Sequence, residues 1–397
     1  MHASEANPHA DARTATRDRW RGQVAILAIG TFAVGTDAFV IAGVLPSIAS
    51  SLRVSLAAAG QMVTIFSLAY ALSAPITGAL SAAWYRRTAL TAGLLLLVVG
   101  NILTAIAPTF GLALASRVVA AIGAGLYTGT ASATAAALAG PERRGQAIAI
   151  VVLGMTLSLV LGAPLGTAIS TIWNWRVTLC AVAGVGGLAG ATVFARIPAL
   201  REVAGIGLSA RLAPLRDRHV MRMLLRALLV FIGIFIPYTY ISAIYARATT
   251  ADPRLLSGLL LCFGVASTVS NLVAGRLSDR WGPRRVLVAG SLGLVAVFAN
   301  MPWMSASPMP ALLAAFLAGL FSFSQTTPQQ HWMLSQAPRG TQSVVTSLYQ
   351  ATLYLGVSLS GAIGAYFMQR VGPHFLSWLA AAFVLLSLLP IASSRDA

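Results

Sequence analysis

Twelve apolar stretches follow one another along this chain, at about 23–46, 57–80, 88–107, 110–138, 146–171, 176–196, 222–245, 255–276, 285–304, 309–334, 341–368 and 375–393. Each is long enough to cross a bilayer, which takes about 20 apolar residues in a helix. The bilayer core offers no water to backbone N–H and C=O groups, so such segments satisfy one another only as helices or closed barrels. Continuous apolar runs of this length select the helix. Composition agrees: 57% of the residues are hydrophobic and only 9% charged, against about 25% charged in an ordinary soluble domain. The expectation is an all-α integral membrane protein with twelve transmembrane helices.

Charge gives the helices a direction. A net charge of +17 would suit a nucleic-acid partner if it covered one face. Instead most of the 27 basic residues, all of them Arg, fall in the termini and in the connections after even-numbered spans. Arg86 and Arg87 follow the second span, Glu142, Arg143 and Arg144 the fourth, and Asp279, Arg280, Arg284 and Arg285 the eighth. Connections after odd-numbered spans, such as 107–110 and 303–310, are nearly uncharged. The positive-inside rule accounts for this pattern. It places both termini in the cytoplasm and the chain in the inner cell membrane, with lipid rather than nucleic acid around it. The first 22 residues are polar and arginine-rich and hold no cleavable signal, so the first span is expected to stay. Cys180 and Cys262 sit in apolar spans, which argues against a disulfide or a metal site.

The chain divides in two. A tail (1–22) leads into six spans (23–197), then a basic linker (198–221) with Arg201, Arg211, Arg216 and Arg218, then six more spans (222–393) and a short tail (394–397). The halves repeat. The run Gly78-Ala-Leu-Ser-Ala-Ala-Trp84 matches Gly275-Arg-Leu-Ser-Asp-Arg-Trp281, and the register continues through Arg87 with Arg284, Leu90 with Leu287, and Gly93 with Gly290. One offset serves every pair. Two related bundles with a site between them at mid-membrane is the plan of many transporters.

One acid stands inside the spans. Asp37 lies in Gln23–Pro46, and a carboxylate in hydrocarbon costs roughly 2.5–3.5 kcal/mol on insertion scales, which makes it functional by default. With Pro46 taken as the end of the helix, Asp37 lies roughly 13 Å deep and Arg117 of the fourth span roughly 10 Å deep from the same side. The two are expected to pair. The offset carries Asp37 to Ile234 and Arg117 to Ala314, so the second half has no counterpart of the pair. Arg226, close to the start of the seventh span, is expected to reach out to the inner interface.

Four runs resemble those of a known family. The loop Gly275-Arg-Leu-Ser-Asp279-Arg280-Trp-Gly282-Pro-Arg284-Arg285 resembles the signature between paired spans of the major facilitator superfamily. There Gly275 permits close helix contact, Gly282 a tight turn, and Asp279 a pairing with arginines or a helix N-terminus that can form in one state and break in another. The first copy departs from it, with Ala82, Ala83 and Tyr85 where Asp, Arg and Gly are usual. Gly154-Met-Thr-Leu-Ser-Leu-Val-Leu-Gly162-Ala-Pro164-Leu-Gly166 in the fifth span is similar to the glycine-proline signature of the family's drug/proton antiporters. Its glycines let another helix approach and Pro164 frees a carbonyl. Arg117 stands in a run resembling the fourth-span motif whose arginine works with the proton site, and the first-span run around Asp37 is similar to arabinose-efflux and chloramphenicol-resistance permeases.

The resemblance implies two pseudo-symmetric six-helix bundles and a monomeric, proton-coupled antiporter. It would export a drug, sugar-like compound or secondary metabolite by alternating access, powered by the proton gradient without a cofactor. Asp37 and Arg117 would couple protons. The substrate surface is expected from polar and aromatic residues: Tyr127, Phe235, Tyr238, Tyr240, Asn271, Phe323, Gln325, Tyr349, Gln350 and Tyr354. A proton-coupled importer on the same fold is the first alternative. A membrane enzyme or receptor is the second, although no cluster of His and acid residues in the spans supports catalysis.

Overall fold

The computed structural model describes residues 8–201, 213–249, 254–336 and 342–389. Among these the chain is helical throughout, and its single β-bridge joins Tyr85 to Arg201. In chain order the helices are α1 (Pro8–Leu52), α2 (Leu56–Leu80), α3 (Arg86–Ile106), α4 (Phe110–Ala139), α5 (Arg144–Leu157 and Ala163–Ile172), α6 (Trp175–Arg196), α7 (Arg218–Thr239), α8 (Arg254–Trp281), α9 (Pro283–Met304), α10 (Pro308–Phe323 and Thr326–Gln336), α11 (Gln342–Val371) and α12 (Phe375–Leu386). The first eleven are long and apolar enough to cross a membrane. The twelfth is apolar but has 12 described residues, and the end of the stretch expected to reach 393 lies outside the described residues.

Local sequence sets the starts. Ser55, Thr109, Asn174 and Asp217 cap α2, α4, α6 and α7, each side chain accepting a backbone N–H of the first turn. Pro283 and Pro308 open α9 and α10, where a missing N–H removes nothing from the helix. The turn before α9 falls on Gly282 at φ 82°, a left-handed conformation that side chains avoid.

Four elements differ from the sequence reading. Helix α1 does not end at Pro46 but passes through it to Leu52, and at its start it extends back through most of the expected tail to Pro8. A proline breaks only one intrahelical bond, and here the helix carries on around it. In α5 the two α-helical pieces are joined by a π turn, Ser158–Gly162, in the glycine-proline run itself. Helix α7 stops at Thr239, after Pro237, and continues in two short pieces, Ile241–Ile244 and Ala246–Thr249. Helix α10 is interrupted at Ser324 and Gln325, four residues before Pro328, whose ring leaves the Ser324 carbonyl without its helical donor. Of the linker expected at 198–221, residues 202–212 lie outside the described residues, as do 1–7 and the tail 394–397.

The helices pack as two bundles, α1–α6 and α7–α12. Between them α2 lies along α11, and the π turn and second piece of α5 lie against α8. The repeat maps α2 onto α8 and α5 onto α11, so these two cross-contacts are images of each other. We call the end carrying Arg86, Arg143 and Arg280 the basic end, and its opposite the far end. Every buried residue of α2 lies between Ala57 and Ala71, in the part nearer the far end. The bundles therefore close on each other from the far end to about mid-depth and part toward the basic end.

Candidate functional site

Asp37 and Arg117 meet. An Arg117 Nη1 donates to Asp37 Oδ1 at 2.6 Å, and Nη2 donates to the Asp37 backbone carbonyl at 3.3 Å. Both residues are fully buried, and the guanidinium lies 4.3 Å from the centre of the Phe66 ring on α2. Each also keeps a buried polar atom without a partner, Asp37 Oδ2 and Arg117 Nε. The approach depends on small residues: Ala113, Ala120, Ala121 and Ala124 of α4 are all buried, which lets α1, α3 and α4 pack closely. Although α1 runs on past Pro46, the pairing expected from depth is made. It is an ion pair with both side chains shut off from solvent.

The closure between the bundles is aromatic. Phe39, two residues beyond Asp37, stacks on Phe235 and meets the edge of Tyr238, both on α7. The Tyr238 ring continues to Phe263 of α8, and Phe263 to Phe323 of α10. Tyr238 donates its hydroxyl to the Phe39 carbonyl at 3.4 Å. Tyr240 sits deeper in the join, wedged between α2 and α11, with its hydroxyl on the Gly361 carbonyl at 2.7 Å; a Cβ at Gly60 or Gly364 would strike its ring. Toward the basic end the last named cross-contact is Tyr70 of α2 stacked on Tyr354 of α11, ring centres 3.6 Å apart.

Helix α5 seats its signature on α1. A Cβ at Gly154 would strike the Ala28 carbonyl and Thr31, at Gly162 the Thr36 hydroxyl, and at Gly166 the Val40 side chain. Thr31 Oγ1 ties the two helices by donating to the Val151 carbonyl at 2.7 Å. On its other side α5 meets Gly264 of α8, where a Cβ would strike the Leu159 carbonyl. The π turn and the buried Pro164 lie in this contact. The run thus lies between the helix that carries Asp37 and the opposite bundle.

Arg226 is not at the interface. It is fully buried and donates to the Gln329 side-chain carbonyl, to that of Gln325 at 2.8 Å, and to Ser291 Oγ at 3.4 Å. Its Nε has no partner, and no carboxylate answers its charge among the described residues. The reason is the interruption in α10. That break turns Gln325 and Gln329 toward α7, and Gly290 of α9 leaves them room, since a Cβ there would strike Gln325 and Ser324. Asn271 of α8 holds the other flank, accepting from Thr326 at 3.0 Å and Thr327 at 2.6 Å.

The remaining candidates fall in different settings. Tyr127 is packed inside the first bundle and donates to the Leu27 carbonyl at 2.9 Å. Tyr349 is buried against Phe231, with its hydroxyl on the Thr326 carbonyl at 3.4 Å, while its neighbour Gln350 is exposed. Gly275 is half-buried, and Asp279 and Arg280 are exposed; Asp279 makes no ion pair among the described residues. In the first copy of that loop, Arg201 packs over the Tyr85 ring and the Arg86 N–H donates to the Leu200 carbonyl at 2.8 Å. Sequence reasoning missed Phe39, Phe66, Tyr70, Phe263, Ser291 and Gln329. Gln325 and Gln329 did carry a signal, two amides one turn apart in an apolar span. The aromatics carried none, because their spacing is that of any core helix.

Comparison with known proteins adds identity to this geometry. The family model described as Major Facilitator Superfamily matches residues 27–247 and 223–394. The chain is 34% identical over 367 residues to the uncharacterised MFS-type transporter YbcL of Bacillus subtilis, covering 92% of this chain and 94% of that protein. It is 31% identical over 373 residues to a chloramphenicol resistance protein of Streptomyces lividans, covering 92% and 95%. A chloramphenicol efflux pump of Mycobacterium tuberculosis is 32% identical over 301 residues, covering 73% of this chain and 71% of the pump. In fold the chain is similar to the xylose transporter XylE of Escherichia coli in a partially occluded inward-open conformation, with a TM-score of 0.73, 16% identity, and 96% and 98% of the two chains covered. The twelve helices, the paired bundles and these matches together make the chain a member of the major facilitator superfamily of membrane transporters.

Proposed function

We propose that this transporter is a proton-coupled antiporter that exports a small organic compound from the cytoplasm, with the basic end on the cytoplasmic side. The observation that carries the reading is the Asp37–Arg117 pair, buried in the first bundle directly beside the aromatic contacts between the bundles. A buried carboxylate is stabilised in its charged form by a guanidinium and in its protonated form by the loss of one. When a shift of α4 draws Arg117 away, Asp37 takes up a proton; when substrate holds Arg117 on Asp37, the proton leaves. Proton and substrate then exclude each other through one site, which is antiport by linkage.

Export is supported by the glycine-proline run in α5 and by the two chloramphenicol-handling relatives. The substrate surface we propose is the aromatic group Phe39, Phe235, Tyr238, Phe263 and Phe323, edged by Tyr349 and Gln350 toward the basic end. It suits an apolar compound with few polar groups. Tyr127, Tyr240, Asn271 and Gln325 are committed to neighbouring helices in this state and reach substrate only if those bonds exchange. The opening toward the basic end and the exposed Asp279, without an ion pair among the described residues, fit an inward-facing state in which the loop latch is undone.

The test is uptake of a compound panel, chloramphenicol included, into inverted membrane vesicles with and without an imposed pH gradient. The expected result is gradient-dependent accumulation by the parent and none by Asp37→Asn, which can still exchange substrate down its gradient. Undiminished uphill transport by Asp37→Asn removes the mechanism.

A further inference from the structure

Arg117 is only loosely fixed by its hydrogen bonds. The bond to Asp37 Oδ1 is short at 2.6 Å, the one to the Asp37 carbonyl is 3.3 Å, and Nε has no partner. A ring completes the seat. The guanidinium carbon sits over Phe66 of α2, 4.3 Å from the ring centre, and Phe66 is buried. A guanidinium this close to an aromatic ring is attracted to it, more strongly when both are out of water. The other titratable groups around this part of α1 are engaged elsewhere. Tyr127, Tyr238 and Tyr240 donate to the carbonyls of Leu27, Phe39 and Gly361. Tyr70 has a hydroxyl contact with Thr128 of α4, and Tyr354 of α11 is stacked on Tyr70. Helices α3 and α5 hold no titratable residue over 90–106 and 145–172, and α6 and α8 hold only Cys180 and Cys262 away from their ends. Arg117 is therefore the group that decides the charge of Asp37.

Phe66 also stands beside the join between the bundles. One turn along α2 is Tyr70, its ring centre 6.5 Å from that of Phe66. Tyr70 is stacked in turn on Tyr354 of α11, ring centres 3.6 Å apart with 25° between the planes. This part of α2 is thus supported on two sides, by α11 through the stack and by α4 through Thr128. When the bundles part, the support from α11 goes, and α2 is no longer pressed toward Arg117.

We propose that Phe66 is a positioning residue that reports the closure of the far end to the proton site. With the bundles joined there, its ring holds Arg117 on Asp37 and keeps the carboxylate charged. With the bundles parted, α2 relaxes, the ring lifts, and Asp37 regains its affinity for a proton. The proposal rests on the reading of Asp37 as the proton carrier. It adds a direction to that reading: the proton is taken up while the far end is open and expelled once that end has shut.

Acid titration of the detergent-solubilised protein, with proton binding measured as the difference from Asp37→Asn, tests this directly. The parent is expected to take up a proton that Asp37→Asn does not. Phe66→Leu is expected to raise the midpoint of that uptake by about one pH unit, roughly tenfold tighter proton binding. Phe66→Tyr keeps the ring and is expected to keep the parent's midpoint. Tyr354→Leu leaves Phe66 in place but removes the stack from α11, and is expected to move the midpoint the same way by less. Should Phe66→Leu fail to fold, Phe66→Met gives the same reading with an unbranched chain that fills gaps more readily. An unmoved midpoint without the ring overturns the proposal. So does a lowered one, which would mean that the ring only keeps out water, since water favours the charged carboxylate. An unmoved midpoint in Tyr354→Leu overturns the link to the join. If the parent takes up no more protons than Asp37→Asn, the antiport reading itself falls; if it does while Phe66→Leu matches it, only the role of Phe66 is wrong.

Discussion

The two buried arginines show how differently single residues can be read. Arg117 could be placed from sequence because its partner is the one acid inside the spans, at a matching depth on a neighbouring helix. Arg226 could not, because its acceptors lie 65 to 103 residues away and are neutral amides and a hydroxyl. A guanidinium buried against neutral groups is secured by how completely they satisfy it, so truncation exposes every loss at once. Arg226→Ala leaves the Gln329 oxygen without its donor and Gln325 with only the longer bond from Ser291 Oγ at 3.3 Å, and is expected to destabilise the protein by about 2–4 kcal/mol. Arg226→Met fills the same space and lets the amides bond each other, with a smaller loss. Thermal unfolding in detergent ranks the two; equal losses would mean that the amides do not depend on the charge.

At the scale of the helix, sequence located each span to within a few residues where charged or capping residues bounded it, as with α2, α3, α6 and α9. It failed where the helix is irregular. The ends of α1 and α7 and the break in α10 all involve prolines, and a proline marks a lost hydrogen bond without saying whether the chain bends, breaks or carries on. The close approaches in α5 were legible as a run of glycines, but not the helix they meet. That helix is α1, along the stretch from Ala28 to Val40. Gly154→Leu would drive a side chain into the Ala28 carbonyl and is expected to cost about 1–3 kcal/mol or prevent insertion. Gly187→Leu on α6, with open space around its Cβ position, is expected to leave stability unchanged. Yield of monodisperse protein and its melting temperature check both; a tolerated Gly154→Leu would mean that α1 and α5 are free to separate.

As a whole, the molecule is joined at the far end and open toward the basic end. In a background with Cys180→Ala and Cys262→Ala, Gln350→Cys should react with a membrane-impermeant maleimide applied from the basic side. Ser358→Cys, buried two turns further along α11, should not. Equal labelling of both would mean that the join at the far end is not the resting state. Asp279→Asn should slow turnover several-fold while leaving substrate binding intact, since Asp279 is exposed and makes no ion pair among the described residues in this state, and so can act only in the other. Transport rates at matched expression decide it; a rate equal to the parent's removes the latch.

The lone charge of Arg226 also has an electrical meaning. Asp37 and Arg117 cancel each other, so when α1 and α4 move together they carry no net charge through the membrane field. In the second bundle the buried charge of Arg226 has no carboxylate to cancel it among the described residues. A full elementary charge crossing 100 mV is worth about 2.3 kcal/mol, so displacing Arg226 by a tenth of the membrane's depth is weighted by about 0.2 kcal/mol. The two halves, built on one repeat, are therefore unequal as electrodes: the first is nearly blind to membrane voltage unless it changes its proton, whereas the second feels it at every swing.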